Sequence, residues 1–244
     1  MEYKKPKIQA LGEQAILLSW EEKIDEDLLY FLLYLKKEIQ NYYTKVKVEV
    51  INTYNSLLIK YISYINNIYS EFSVLETIVS ANFKGQKLHL QQYTLPVCYD
   101  EEFGLDLAIV SKQNKRSISE IIQLHTQSNY TIYFTGFLPG FLYLGGLDEK
   151  LYISRKESPR LKVEKGAVGI GEKQTGVYPQ NSAGGWQIIG NCPVPIFDVE
   201  NEKPSPFQPG DKLKFEAVSL EKYNTIKQEI KRGNFLLKKE VYEY

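Results

Sequence analysis

The segment that decides the fold runs from Ile132 to Asp198 and reads IYFTGFLPGFLYLGGLDEKLYISRKESPRLKVEKGAVGIGEKQTGVYPQNSAGGWQIIGNCPVPIFD. Eleven of the chain's sixteen glycines lie between Gly136 and Gly190. Glycine is favoured where a residue needs a positive φ or where two stretches of backbone approach closely. Its concentration between short aromatic and β-branched runs predicts a β structure with many sharp loops. Loops on a β scaffold are where binding and catalytic sites are usually built.

Polar and aromatic side chains are interleaved with these loops. Pro139-Gly140 has the chemistry of a type II turn, and Gly184-Gly185 allows a tight turn directly before Trp186. The interleaved side chains that can bind or catalyse are Tyr143, Arg155, Arg160, Gln174, Thr175, Tyr178 and Trp186. On the residues alone, a β domain with packed aromatic rings explains this pattern as well as a functional site does.

Residues 1–94 predict a separate α+β domain. Its strands are predicted as two short strands around a turn at Gly12-Glu13 within 7–20, and at 46–50, 56–62 and 87–95. One helix is predicted over 25–40, with Leu28, Phe31, Leu32, Leu35 and Ile39 on one apolar face, and a second from a cap at Ser70 to a stop at Gly85. Overall this gives the order β-α-β-β-α-β, which predicts a ferredoxin-like domain.

Residues 95–244 predict a second domain that is rich in short strands. Helices are predicted at 105–112, 117–127 and 219–232, and a clearly alternating strand at 212–218. Ser117 and Glu120 form a capping-box pattern at the start of the second helix. That helix carries no Arg or Lys, which argues against a DNA-binding helix-turn-helix. The many strands predict a closed or nearly closed β-barrel.

The charge and cysteine content argue against several classes of protein. Thirty basic and thirty acidic residues give a net charge of zero, so nothing attracts nucleic acid or an anionic membrane. Two cysteines make no disulfide framework, which favours a reducing compartment. No run approaches the ~20 apolar residues of a membrane span, and the first residues lack a signal-peptide core. We therefore expect a cytoplasmic protein without nucleic-acid or membrane partners.

Metal, nucleotide and thiol motifs are weak. The chain has two histidines, His89 and His125, so it cannot supply a three-histidine zinc site, and we expect no metal site. His125 ends a predicted helix that leads into the glycine-rich segment, where it can serve either the helix terminus or a site. The stretch 166–173 lacks the Lys that follows the second glycine of a Walker A loop. Nothing local indicates an activated thiol at Cys98 or Cys192.

Five motifs carry a family resemblance: GFLPGFLYLGGLD, SPR, GAVGIGEKQTGVYP, SAGGWQIIG and FD, in this order within the 132–198 segment. They resemble the allophanate hydrolase subunit 1 family, which includes the B subunit of bacterial 5-oxoprolinase and KipI-like proteins. LPVCYDEEFGLDL upstream and FQPGDKLKF downstream extend the resemblance to nearly the whole chain. The family usually has Pro at Ser154, Pro-Ala-Gly at 164–166 and often Gly at Glu172.

The resemblance implies a cyclophilin-like β-barrel for residues 95–244. It also implies the B subunit of an ATP-dependent 5-oxoprolinase complex, which opens the lactam of 5-oxoproline to glutamate. The partners in that complex are a LamB/YcsF-like A subunit and a C subunit that resembles allophanate hydrolase subunit 2. ATP would be bound largely by a partner chain. The alternatives are a KipI-like inhibitor of a sensor histidine kinase and one component of an allophanate hydrolase or urea amidolyase.

Candidate roles follow from side-chain chemistry at the family's motif positions. The catalytic candidates are Arg160 for an oxyanion, Gln174 for one edge of the amide, Tyr178 for proton transfer, and His125. The substrate-binding candidates are Tyr143, Thr175 as the partner of Gln174, and Trp186 as a wall against water.

Overall fold

The computed structural model describes residues 5–21, 23–45, 48–81 and 88–243. The chain is a mixture of α and β structure in two compact units, Met1–Lys87 and Leu88–Tyr244. The division falls before the predicted boundary at 94/95, because the strand containing that boundary belongs to a sheet of the second unit.

The first unit is a four-stranded antiparallel sheet with two helices. Its elements are β1 (Lys7–Ala10), β2 (Ala15–Ser19), α1 (Glu26–Tyr42), β3 (Val48–Asn52), β4 (Ser56–Tyr61) and α2 (Ile68–Val79). The strand order is β1-β2-β4-β3. Strand β4 therefore lies between β2 and β3, the two strands that α1 connects, and is antiparallel to both.

Helix α1 has the amphipathic face that its sequence predicts. Asp25 precedes the helix, and its carboxylate accepts a hydrogen bond from the Leu28 backbone N–H at 3.1 Å. This satisfies one of the free N–H groups that every helix start leaves. The predicted apolar positions that are buried are Leu28, Leu32, Leu35 and Ile39. The face therefore packs against the sheet as expected.

Helix α2 begins earlier than predicted. Its cap is Asn67, whose side-chain oxygen accepts from the Ser70 N–H at 3.1 Å, so the predicted cap at Ser70 is wrong. Asn caps a helix as well as Ser does, and either residue fits the local pattern. The predicted helix stop at Gly85 lies outside the described residues, as do the first two residues of the strand predicted at 46–50.

The second unit contains ten strands and three α-helices among its described residues. They are β5 (His89–Val97), α3 (Leu107–Gln113), α4 (Ile118–Gln127), β6 (Tyr130–Thr135), β7 (Leu142–Gly145), a 3₁₀ turn (Glu149–Leu151), β8 (Arg160–Val163), β9 (Ala167–Gly171), β10 (Gln174–Val177), β11 (Ser182–Gly184), β12 (Gln187–Asn191), β13 (Lys212–Ala217), α5 (Leu220–Lys231) and β14 (Lys239–Glu243). The strands form sheets of the order β14-β5-β13-β6-β7, β10-β9-β12 and β11-β8.

The predicted final strand of the ferredoxin-like domain pairs elsewhere. Strand β5 runs parallel to β13 and antiparallel to β14, both in the second unit. In the first unit, β1 from the N-terminal hairpin lies at the sheet edge beside β2. The described order is therefore β-β-α-β-β-α, and the predicted β-α-β-β-α-β order is wrong. Alternation identifies a strand, but it does not identify the strand's partner.

Of the predicted closed or nearly closed barrel, the closed form is wrong for the part of the chain that the structure describes. A bridge between Cys98 and Asn191 joins the end of β5 to β12, which links the two larger sheets at one side. At the other side β7 and β10 lie side by side, and the Leu142 carbonyl oxygen is 3.1 Å from where a Cβ on Gly176 would stand. No hydrogen-bonded ladder joins these two strands in the described sheets, so the barrel is not closed between β7 and β10.

Each unit has its own hydrophobic core, and each core borders one of the two tryptophans. In the first unit Trp20 packs edge-on against Phe31, with ring centroids 5.9 Å apart. In the second unit Trp186 is buried in a cluster with Phe141 and Tyr178. Both units thus bury aromatic surface independently.

Glu172 closes the β9–β10 hairpin in a left-handed conformation, with φ of +56°. This backbone favours glycine, which explains why a glycine is often found here in the family that the sequence resembles. We expect Glu172→Gly to raise the free energy of unfolding by up to about 1 kcal/mol, because the relief of left-handed strain exceeds the added entropy of the unfolded chain. Urea denaturation measures this effect. Glu172→Ala is the matched control, since it removes the carboxylate but keeps the strain; an alanine variant more stable than the glycine variant would contradict the explanation.

Candidate functional site

Trp186 lies on a surface made of glycines from β9 and β10. A Cβ on Gly171 would overlap its indole ring, and a Cβ on Gly176 would stand 3.3 Å from it. Phe141 packs edge-on against the indole at 5.4 Å between centroids. The glycines of the GAVGIGEKQTG motif therefore make room for one large ring, which accounts for part of their concentration.

Tyr143 and Tyr178 join Trp186 around the same phenylalanine. Phe141 lies 5.3 Å from Tyr143 and 5.7 Å from Tyr178, edge-on to both rings. Burial raises the pKa of Tyr178, and the hydrogen bond with the Trp186 backbone together with the nearby guanidinium groups of Arg155 and Arg160 offsets this in part. The phenol is therefore protonated at neutral pH and able to donate a hydrogen bond. The structure thus brings three of the predicted site residues together.

Arg160 is held by Asp106, a residue that the sequence motifs did not single out. Its two terminal nitrogens donate to the two carboxylate oxygens at 2.7 and 2.8 Å. The same carboxylate accepts from the Ile188 N–H at 2.7 Å and pairs with Lys156 at 3.4 Å. A bidentate contact between Arg160 and a substrate oxyanion would require this pair to open. The signal for Asp106 in the sequence was a carboxylate within the apolar pattern of GLDL.

The Asp106 carboxylate is 99% buried yet charged. Burial opposes its ionisation, but the hydrogen bonds from Arg160 and Ile188 and the charges of Arg160 and Lys156 outweigh burial and hold its pKa below the usual value. Asp106 thereby connects the start of α3 to β8 and β12. Arg160 in β8 also pairs with Gly184 of β11, which lies two residues before Trp186. The ion pair and Trp186 therefore belong to one connected part of the unit.

His125 and Thr175 meet in a separate, fully buried group. The His125 Nε2 lies 2.9 Å from the Thr175 hydroxyl, and its Nδ1 lies 2.7 Å from the Tyr99 hydroxyl. Thr175 donates its one proton to the Gly169 carbonyl at 3.0 Å, so it accepts from Nε2–H, and Nδ1 accepts from Tyr99. Burial lowers the pKa of His125 to about 3. The imidazole is therefore neutral and fully bonded within the core.

Gln174 and Thr175 point to opposite sides of β10. Adjacent residues of a strand alternate between its faces. The Thr175 hydroxyl is wholly buried against His125, whereas Gln174 is half-buried at the hairpin end, opposite Gly171. As placed, these two side chains do not present a paired donor and acceptor to one ligand.

A surface cleft of about 460 Å³ lies beside the Asp106 ion pair. We call it the Arg155 cleft; its lining residues include Gln113, Arg155, Lys156, Glu157 and Gln187. The Arg155 guanidinium stands over the Trp186 ring at 6.0 Å from the centroid. The cleft therefore adjoins the aromatic group that contains Tyr143, Tyr178 and Trp186.

The two thiols are placed as core groups. Cys98 and Cys192 are both buried and free, and burial raises the pKa of each, to about 12 for Cys192. A nucleophilic cysteine needs the opposite shift. Within the described ranges, no group of three or more His, Cys, Asp or Glu side chains is arranged to hold a metal ion, and no helix has the length and apolarity to cross a bilayer.

Comparison with known families identifies the architecture that holds these groups. Residues 6–207 match the family described as the carboxyltransferase domain, subdomain C and D. This chain belongs to that family. The match covers the first unit and most of the second, including all seven predicted site residues.

Relatives of this carboxyltransferase-domain chain include complete proteins of similar length and parts of larger enzymes. It is 32% identical to the 5-oxoprolinase B subunit of Bacillus subtilis (strain 168), over 91% of this chain and 97% of that protein. It is 24% identical to the urea amidolyase of Lachancea kluyveri, over 92% of this chain but 14% of that enzyme. Its fold superposes on the K. lactis urea amidolyase with a TM-score of 0.80 and 19% identity, over 98% of this chain and 16% of that one. The family that the sequence resembles is thereby confirmed.

Proposed function

We propose that this chain is the B subunit of an ATP-dependent 5-oxoprolinase that works in the cytoplasm. The enzyme adds water across the lactam C–N bond of 5-oxoproline and releases glutamate, together with the LamB/YcsF-like and allophanate hydrolase subunit 2-like partners. The observation that carries the proposal is the alignment with the Bacillus subtilis 5-oxoprolinase B subunit over 97% of its length. The similarity to urea amidolyases supports the coarser statement that the chain serves an amide-hydrolysing enzyme.

The site geometry supports a shared active site. The chain offers an aromatic wall, a protonated phenol and cationic side chains, which suit binding and orientation of a small polar substrate. Its thiols and its buried histidine have pKa values shifted away from nucleophilic or general-base roles at neutral pH. We propose that the partner chains supply ATP and the groups that activate the amide.

Within this chain, we assign the substrate-facing roles to the half-buried Gln174 and Tyr143 and to the buried Tyr178 and Trp186 of the aromatic group. Gln174 and Tyr143 are partly accessible and can donate to or accept from an amide. Tyr178 donates to the developing oxyanion and Trp186 excludes water from it. Arg160 acts through Asp106 as a positioning residue, and His125 with Thr175 holds β10 against α4.

The proposal predicts glutamate release that depends on partners and ATP. We expect the chain, co-expressed with the two candidate partner chains, to release glutamate from 5-oxoproline in the presence of ATP and not in its absence. Tyr178→Phe keeps the ring packing and removes the hydroxyl, so we expect it to lower kcat about 10²-fold or more while the complex still assembles. Enzymatic detection of glutamate measures both effects.

Other outcomes separate the alternatives. A stable complex that ignores 5-oxoproline but hydrolyses urea or allophanate with ATP would support a role in a urea amidolyase-type enzyme instead. A chain that binds neither partner and inhibits autophosphorylation of a sensor histidine kinase would support the KipI-like alternative. A Tyr178→Phe variant with full activity would remove Tyr178 from the catalytic site without affecting the proposed 5-oxoprolinase role.

A further inference from the structure

Gln187 carries a buried hydrogen-bond acceptor that no group in the described chain satisfies. The side chain is 6% exposed and lines the Arg155 cleft. Its Nε2 donates to the Ser154 carbonyl at 3.1 Å, which fixes the orientation of the amide. Its Oε1 is buried and has no partner among the described residues. An unpaired buried acceptor is destabilising by about 1–3 kcal/mol, so its retention points to a ligand that donates an N–H or O–H.

Arg155 provides a cation on the wall of the same cleft. Its side chain is exposed, and no carboxylate within the described ranges lies at ion-pair distance from its guanidinium. The neighbouring Lys156 differs, because it pairs with Asp106 at 3.4 Å. A guanidinium presents a planar fork that matches a carboxylate. Arg155 is therefore an exposed anion-binding group, and Gln187 Oε1 a buried acceptor without a described partner, on residues that line one cleft.

We propose that the Arg155 cleft binds a small amide or lactam that carries a carboxylate. Gln187 Oε1 accepts the ligand's amide N–H, and Arg155 binds its carboxylate. The ligand identity rests on the proposed function, because 5-oxoproline has both groups on one five-membered ring. The cleft volume of about 460 Å³ is within the usual range for small-molecule sites, about 300–1,000 Å³, and leaves room for a partner group beside the ligand.

Glu157 places a negative charge in the lining of the Arg155 cleft. It is exposed and lines the cleft, so its carboxylate opposes the binding of an anion. Glu157→Gln is expected to tighten 5-oxoproline binding about 2–3-fold and to leave a neutral lactam unaffected. Arg155→Gln removes a positive charge instead. It is expected to weaken 5-oxoproline binding by a larger factor than Glu157→Gln strengthens it.

The test pairs protein variants with truncated ligands. The variants are Arg155→Gln, Glu157→Gln and Gln187→Met, with Arg232→Gln as a control at an exposed arginine directly after the final helix. The probes are 5-oxoproline, 2-pyrrolidinone, which lacks the carboxylate, and N-methyl-5-oxoproline, which lacks the N–H. Calorimetry on the full chain measures Kd, and KM is measured on the assembled complex.

We expect Arg155→Gln to weaken 5-oxoproline about 10–100-fold and to leave 2-pyrrolidinone unchanged. We expect Gln187→Met to weaken 5-oxoproline about 10-fold and to leave the N-methyl compound unchanged. If Gln187→Met fails to fold, the ratio of the Kd values of 5-oxoproline and N-methyl-5-oxoproline on the wild-type chain still measures the contribution of the N–H contact.

Two results would overturn the assignment of the cleft. One is the absence of saturable 5-oxoproline binding to the chain and to the complex. The other is a variant, Arg155→Gln or Gln187→Met, that weakens the binding of all three probes equally. Turnover of 5-oxoproline with a KM unaffected by Arg155→Gln would overturn the cleft and leave the proposed function standing. Selective binding of 5-oxoproline to the cleft in a complex without turnover would support the cleft and contradict the proposed reaction.

Discussion

Replacing Asp106 with alanine is expected to lower the free energy of unfolding by about 3–5 kcal/mol. The substitution leaves Arg160 and Lys156 without their shared carboxylate and leaves the buried Ile188 N–H without its acceptor. Removing one member of a buried ion pair is far more destabilising than the net stability the pair contributes. Urea denaturation at pH 7 measures the loss.

The chain contains a matched exposed pair that serves as the control. Lys162 and Glu164 lie 2.7 Å apart, the same distance as the shorter Arg160–Asp106 contact, but both side chains are more than 60% exposed. Solvent screens such a pair, so we expect Glu164→Ala to change stability by less than about 1 kcal/mol. Equal losses for the two alanine variants would show that burial of Asp106 does not determine its effect.

The stability of the second unit is expected to fall in mild acid because of His125. Its pKa is about 3 in the folded chain and near 6.5 when unfolded, so below pH 6.5 the unfolded state takes up a proton that the folded state does not. Stability is therefore full above pH 6.5 and falls by about 1.4 kcal/mol per pH unit until the pH nears 3. Denaturation midpoints between pH 7.5 and 4.5 measure this slope.

A variant without the titrating ring separates this effect from other acid effects. His125→Gln should be less stable at pH 7, because Tyr99 and Thr175 lose part of their hydrogen bonding, but its stability should no longer fall between pH 6.5 and 4.5. His89→Gln, at the exposed histidine of β5, should retain the wild-type slope. A wild-type slope in His125→Gln would contradict the assignment. Below about pH 4 the depressed pKa of Asp106 adds a further loss.

The sequence predicts elements better than it predicts their partners. Local signals identify the capping box at Ser117 and Glu120 and the apolar face of α1, both of which are confirmed. The alternation in 87–95 likewise identifies β5, but its neighbours β13 and β14 lie over a hundred residues away. Pairing at that separation is set by tertiary packing, so the ferredoxin-like order and the closed barrel do not follow from periodicity.

In the candidate site, too, the sequence predicts individual residues better than it predicts which side chains they contact. The motif positions at Tyr143, Tyr178 and Trp186 do meet, because glycines in β9 and β10 admit the rings. The partner of Arg160 is 54 positions away, and burial of Gln187 depends on the loop that contains Ser154. The carboxylate in the apolar GLDL pattern marks Asp106 as unusual but does not identify its partner, and Gln187 has no local sequence signal.

The placement of the two indoles gives each compact unit its own optical probe. Trp20 belongs to the first unit and Trp186 to the second, and the chain contains no other tryptophan. Trp20→Phe and Trp186→Phe therefore yield single-emitter chains whose fluorescence follows one unit at a time. Coincident transitions for the two chains would mean that the units unfold cooperatively, and separate transitions would give each its own midpoint.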